Sequence, residues 1–282
     1  DYGGVVANQL LTLEHIGLFT APLPASPEDL PRLAGPSDHR EGLDGRARSY
    51  LHASCSHCHR KWGGGNSDFQ LLAALDLPET GVLGARPGHG AFDIAQAEVI
   101  SPGDPYRSVL FHRMSTLGPA RMPRLGSSVV DRDGLRLVHD WIRSLPAPPG
   151  SLPEPVARAR AATREALEAL RGGADSTERR AQAIDRLLGS TSSALELAWA
   201  IEEGTLPAVA REEVLARASG HAQAVVRDLF ERFLPPERQR RRLGSAVRPE
   251  EILTRPGDPG RGKQIFESEG LQCKTCHRAD GV

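Results

Sequence analysis

Two short motifs constrain this chain more than anything else in it. Cys55-Ser56-His57-Cys58-His59 and Cys273-Lys274-Thr275-Cys276-His277 share the spacing C-x-x-C-H, and together they use all four cysteines of the 282 residues. This is the attachment signature of c-type haem. Two thiols three residues apart can add across the two vinyl groups of one porphyrin, and the imidazole in the next position then lies beneath the iron as its proximal ligand. Paired C-x-x-C knuckles also bind zinc, and a lone C-x-x-C serves thiol–disulfide exchange. Here the pairs stand more than 200 residues apart, each carries its own adjacent histidine, and neither sits in a βαβ pattern. The haem reading is therefore the leading one. Zinc is the runner-up.

Composition enters the argument at two points. Aromatic residues make up only 5% of the chain, so a porphyrin would supply bulk that a lean core lacks. The 35 Lys and Arg against 36 Asp and Glu leave a net charge of −1, which argues against a nucleic-acid binder or a polybasic membrane reader. No apolar run approaches the roughly 18 residues of a membrane span.

Texture divides the chain into five parts. Residues 1–36 hold one apolar-periodic stretch (Leu10, Leu11, Leu13, Ile16, Leu18, Phe19) and a Pro-rich tail, expected to be an incoming segment from a preceding domain. Residues 37–147 open with a helix predicted over 43–54, running into Cys55, and close with one predicted over 135–145, whose Leu135, Val138, Trp141, Ile142 and Leu145 fall at helical spacing. Asp131 or Asp133 is expected to cap the closing helix. Between the helices lies a Gly-rich region that suits loops wrapped over something large. Gly45 and Tyr50 of the leading helix are expected to let it cross closely against Trp141.

Residues 148–156 lie in a Pro-rich linker, expected to be extended and semi-rigid. Residues 157–245 then read as four or five helices in succession, with Ser193 and Glu196 as a capping box, Pro207 at a first helical position, and Gly204 and Gly220 as stops. Residues 246–282 begin a third unit that ends five residues after His277.

A haem iron needs a ligand on its second face, and the chain has two methionines. Met122, in Arg121-Met122-Pro123-Arg124-Leu125-Gly126, lies on a loop ahead of the closing helix and is the expected distal ligand. Met114 falls at helical spacing in Val109–Met114 and is expected in the core. His89 is the runner-up ligand; His52, His57, His112 and His139 are further alternatives, although His57 sits between the two cysteines and cannot reach the distal face. The second motif has no such partner within reach.

With these residues in place, 37–147 resembles a class I-type cytochrome c domain, through Gly45 and Tyr50, Cys55/Cys58/His59, Met122-Pro123 and Trp141. The run Ser101-Pro-Gly-Asp-Pro-Tyr-Arg-Ser-Val-Leu is similar to cytochrome modules at the C-terminal end of large secreted bacterial proteins, some of which carry a propeller of the glucose/sorbosone dehydrogenase kind. The order of helical array and second C-x-x-C-H resembles multidomain haem-binding proteins with HEAT-like repeats. The resemblance implies a mainly α fold: a cytochrome c-like domain with long Gly-rich loops, a HEAT-like array, and an incomplete second cytochrome c-like segment. It implies electron transfer through haem c held by Cys55, Cys58, His59 and Met122, with a second haem at Cys273, Cys276 and His277. The expected setting is the periplasm or cell surface, and the expected partner a redox protein or a preceding catalytic domain. The module would not be catalytic by itself, although a parent chain would be a dehydrogenase. A dihaem peroxidase-like enzyme and a zinc-stabilised helical adaptor are the alternatives.

Overall fold

The computed structural model describes residues 4, 6–65, 67–124, 127–147, 152–173, 176–240, 248–268 and 273. Among them the chain is mainly helical, and its extended pairing is confined to isolated parallel bridges, Leu83 with Ile100 and Glu98 with Ser108. Helix α1 is Gln9–His15, α2 Leu43–Cys55, α3 Val109–Ser115 and α4 Arg132–Ser144. The array comprises α5 Glu154–Arg171, α6 Thr177–Leu188, α7 Thr191–Glu202, α8 Ala208–Ser219 and α9 Ala224–Phe230; α10 Pro249–Leu253 and α11 Pro259–Glu267 follow.

Helices α2 and α4 cross as the sequence suggests, but through a different glycine. A Cβ on Gly45 would touch nothing within 4 Å, whereas one on Gly134 would run into the Tyr50 ring, 2.6 Å from Cε2. The bare backbone of Gly134 thus admits Tyr50, whose hydroxyl donates to Asp131 Oδ2 at 2.9 Å. Asp131 is also the N-cap of α4, accepting from the Gly134 amide at 3.0 Å. At the other end of the crossing, Trp141 Nε1 donates to Asp44 Oδ1 at 2.8 Å, and its ring is buried.

The segment between α2 and α3 is held by backbone bonds outside regular helix. Ile100 N donates to Val82 O (3.1 Å), Val109 N to Glu98 O (2.8 Å) and Leu110 N to Val99 O (3.1 Å), which buries Val82, Val99 and Ile100. In the Ser101–Leu110 run, Ser108 Oγ donates to the Asp104 carbonyl at 2.8 Å, and the Arg107 guanidinium spans the Gln96 carbonyl and the Glu98 carboxylate.

The Pro-rich stretch is not an extended spacer throughout. Pro153 caps α5, and Glu154 already lies in the helix, because a proline without an amide costs nothing at a helix start. The array is packed directly onto the motif-bearing unit, in one apolar core shared by both. Trp199 of α7 stacks on His139 of α4 at 4.0 Å and meets Phe111 of α3 edge-on at 5.7 Å. Glu202 of α7, its side chain 2% exposed, pairs with Arg132 of α4 and with Arg232 at 2.9 Å. Arg160 of α5 reaches Asp104 at 3.1 Å. Gly118 lies against Asp228 of α9, whose Cβ would be 2.9 Å from an added side chain, and Leu117 N donates to the Asp228 carbonyl.

Two cap assignments shift. Ser190, not Ser193, is the N-cap of α7 and accepts from Ser193 N at 3.2 Å; Pro207 is the N-cap of α8 and not its first residue. Helix α1 buries no residue, and Leu10, Leu11, Ile16 and Leu18 are exposed. Its segment is tied to the rest at Ala34 N, which donates to Ser49 Oγ at 3.0 Å, and at Pro36 O, which accepts from Arg46.

Candidate functional site

Cys55 ends α2, and the chain turns sharply through the motif. Cys58 N and His59 N both donate to the Cys55 carbonyl, at 3.1 and 2.9 Å, so the two cysteines lie about one helical turn apart. Both are half-buried and outside any disulfide. Burial pushes the Cys55 thiol up to about 11, with a smaller contribution from Cys58, and so holds it protonated.

A glycine cradle closes the turn. Gly63 N donates to Arg60 O at 2.8 Å and Gly65 N to Cys58 O at 2.9 Å. A Cβ on Gly65 would lie 2.6 Å from the Cys58 oxygen, and one on Gly63 would collide with it as well. Only glycine permits this approach. At the tip of the turn Trp62 adopts a left-handed φ of 65° and is 94% exposed, next to exposed Arg60 and Lys61. An indole on a strained backbone facing water is unusual.

His59 is fixed on two sides. Its Nδ1 is 2.8 Å from Ser67 Oγ, and its ring stacks on Phe69 at 4.8 Å and 8°. The carbonyl of His59 accepts from Leu71 N at 2.8 Å. With the hydroxyl at Nδ1, ring orientation is set and Nε2 is left for another partner, the arrangement expected around a metal-ligating histidine. Burial holds the ring below the usual imidazole range, and the positive charge of Arg113 adds to this, followed by His57.

Arg113 is the residue that sequence reasoning missed. Its carbonyl accepts from Met122 N at 2.9 Å, its Nη1 donates to Ala120 O at 3.0 Å, and its Nη2 donates to His89 O at 2.9 Å. The guanidinium lies 4.6 Å from the Phe92 ring centre. One side chain therefore ties the Met122 loop to the His89 loop and sets a positive charge within electrostatic reach of His59. Nothing in the linear pattern marks it, because its partners are backbone carbonyls far along the chain.

The structure sorts the remaining ligand alternatives. Met122 is half-buried on its loop; Met114 packs against the apolar core, as expected from its spacing. His52 Nδ1 accepts from Ala73 N at 3.0 Å. His139 lies between Asp140 (2.9 Å) and the Tyr106 hydroxyl (3.2 Å) and is covered by Trp199. His112 is wholly buried, stacked on Phe92 at 4.8 Å. Its ring nitrogens lack a hydrogen bond of normal geometry, although the Val225 backbone lies close enough to favour its proton slightly, and burial pulls it down to about 4. His57 and His89 are exposed.

Of the second motif, Cys273 is half-buried, while Cys276 and His277 lie outside the described residues. Among the described residues, no three His, Cys, Asp or Glu side chains gather in a group that could hold a metal ion, and no helix is long and apolar enough to cross a membrane. No family model matches the chain, and no curated protein or solved structure matches it.

Proposed function

We propose that this chain is an electron-transfer protein that carries haem c at Cys55, Cys58 and His59, with residues 37–147 as a cytochrome c-like unit and α5–α9 as a HEAT-like support. The observation that carries the reading is the held state of His59: a C-x-x-C-H turn whose histidine is oriented by Ser67 at Nδ1, with Nε2 left without a hydrogen-bond partner among the described residues. The donor set fits the group in other ways too. The thiols are unpaired and adjacent in space, the cradle glycines keep side chains off Cys58, and a half-buried thioether is available at Met122.

When bound, the haem supplies a one-electron ferric/ferrous couple. The protein's part is to hold and tune it. Cys55 and Cys58 anchor the ring covalently, so it cannot leave a unit with few aromatics. Ser67 fixes the plane of His59. Met122, as distal ligand, would favour the ferrous state relative to a second imidazole. Arg113 holds the Met122 loop in register and adds a positive charge, which disfavours the more positive ferric state. Such attachment places the protein in the periplasm or at the cell surface, where its partner is a redox protein or a catalytic domain of the same parent chain. A second haem would be held by Cys273, Cys276 and His277.

The alternative is a zinc-stabilised helical adaptor, for which no group of three His, Cys, Asp or Glu side chains is found among the described residues. Haem staining after denaturing electrophoresis decides between the two: a band from a host with haem-attachment machinery stains, and the Cys55→Ala/Cys58→Ala variant loses the first site's share. An unstained wild-type band would sink the proposal. In the Met122→Ala protein the weak red charge-transfer band of Met-ligated ferric haem should vanish; its survival would move the distal ligand elsewhere, to His89 first.

A further inference from the structure

Several arginines of the helical array are ion-paired. Arg180 pairs with Glu213, Arg217 with Asp185 and Glu213, and Arg232 with Glu202. Where α8 ends and α9 runs into the turns Glu231–Phe233 and Pro236–Arg238, a cavity of about 60 Å³ opens between Arg227, Arg238 and Arg240, with Ser219, Phe230 and Leu234 completing its wall.

The lining holds these three arginines and a single carboxylate residue, Glu231, which is buried and already accepts from the Arg240 amide at 2.7 Å. The side chains of Arg238 and Arg240 make no hydrogen bond or ion pair among the described residues. Arg227 donates through Nη1 to the His221 carbonyl at 2.9 Å, but its Nε is buried without a hydrogen-bond partner, Asp228 Oδ1 being 4.0 Å away. A buried N–H left without an acceptor carries a desolvation cost that an incoming oxygen would remove. Planar guanidinium forks match the edges of tetrahedral oxyanions, and their bonds to such anions are charge-assisted.

We propose that this cavity binds a small tetrahedral oxyanion of the phosphate class, held by Arg227, Arg238 and Arg240. The site lies in the array and does not depend on the haem reading. The backbone of the cavity is fixed independently of the two uncommitted side chains: Arg238 N donates to Pro235 O at 2.9 Å, and Gln239 Nε2 donates to Leu234 O at 2.8 Å. Neutral substitution at Arg238 and Arg240 therefore leaves the turn in place.

Calorimetric titration of the full chain with inorganic phosphate, and in parallel with glycerol phosphate, tests the site at constant ionic strength. Saturable one-to-one binding is expected in at least one arm, the tighter arm showing whether the free ion or a phosphoryl group on a larger molecule is the ligand. Arg238→Gln/Arg240→Gln should weaken it at least tenfold without shifting the thermal midpoint of the unliganded protein. Arg227→Gln should weaken it further, provided its circular dichroism matches wild type. Absence of saturation in both arms, equal heats from chloride, or unchanged affinity in the double variant would overturn the proposal.

Discussion

The two halves of the molecule reach burial by different routes. In the array, helices cover one another. Every residue of α7 from Ser193 to Glu202 except Glu196 is buried, and its terminal carboxylate is enclosed between two arginines. In the motif-bearing unit, α2 and α4 make a single crossing, and the chain between α2 and α3 is secured by scattered backbone bonds, glycine contacts and the clamp at Arg113. The array is a scaffold that also lends Arg160, Trp199 and Glu202 to the other half. The other half carries polar and soft groups, namely two thiols, an oriented imidazole and a thioether, on elements too short to be stable alone. The comparison teaches that the array's stability reaches the candidate site through a shared interface.

The strongest way to break that arrangement is at Glu202. Truncation in Glu202→Ala leaves the 8% exposed Arg232 side chain buried without its carboxylate, which should cost about 3–5 kcal/mol. Denaturant unfolding measures it, and a loss below about 1 kcal/mol would show that the halves do not depend on this triad. Next comes acid. His112 is held neutral, with its folded value near 4 against 6.5 for a free imidazole. Between these values the unfolded chain binds the extra proton, so stability is intact above about pH 6.5 and falls as pH drops towards 4, by up to about 3 kcal/mol. His139 acts in the same direction and Asp104, whose carboxyl is raised by burial, in the opposite one. Denaturation midpoints across this range should flatten in His112→Phe if its ring is the source.

Gly134→Val sharpens the comparison within the motif-bearing unit. The added side chain must displace Tyr50 and should cost about 1–3 kcal/mol, with the near-ultraviolet signal of Tyr50 and Trp141 altered. The smallest effect has the opposite sign: Gly45→Ala meets open space on an exposed helical turn and should stabilise the protein by about 0.5–1 kcal/mol. A destabilising Gly45→Ala would restore the role that its place in the sequence suggests.

That last pair shows how far residues alone carry the reading. Periodicity places α2, α3 and α4 and narrows the α4 cap to Asp131 or Asp133, because these depend on neighbours within a turn or two. Which of two glycines sits beneath Tyr50 depends on the axial offset of two helices, which no local pattern records. The same limit hid Arg113: a cation that binds carbonyls has no complementary residue type to point to it. Ser193 was displaced from its capping role by Ser190 because both positions satisfy the same local rule. The 148–156 stretch reads as a spacer because proline marks both a break and a helix start. The cysteines and His59 stood out because their chemistry is written in spacing, whereas Ser67 joined them only once the cradle had folded the chain back.

The placement of the array has one more effect. Helices α3 and α4 are occupied by Phe111, His139 and Trp199 on the side where the halves meet, while the residues around Cys58, from His57 to Gly64, present Arg60, Lys61 and Trp62 to water. In the proposed electron-transfer role, the module would have an insulated back and a conducting front. If donor and acceptor both dock on that front, they must visit it in turn, and traffic through the protein becomes a shuttle, not a relay.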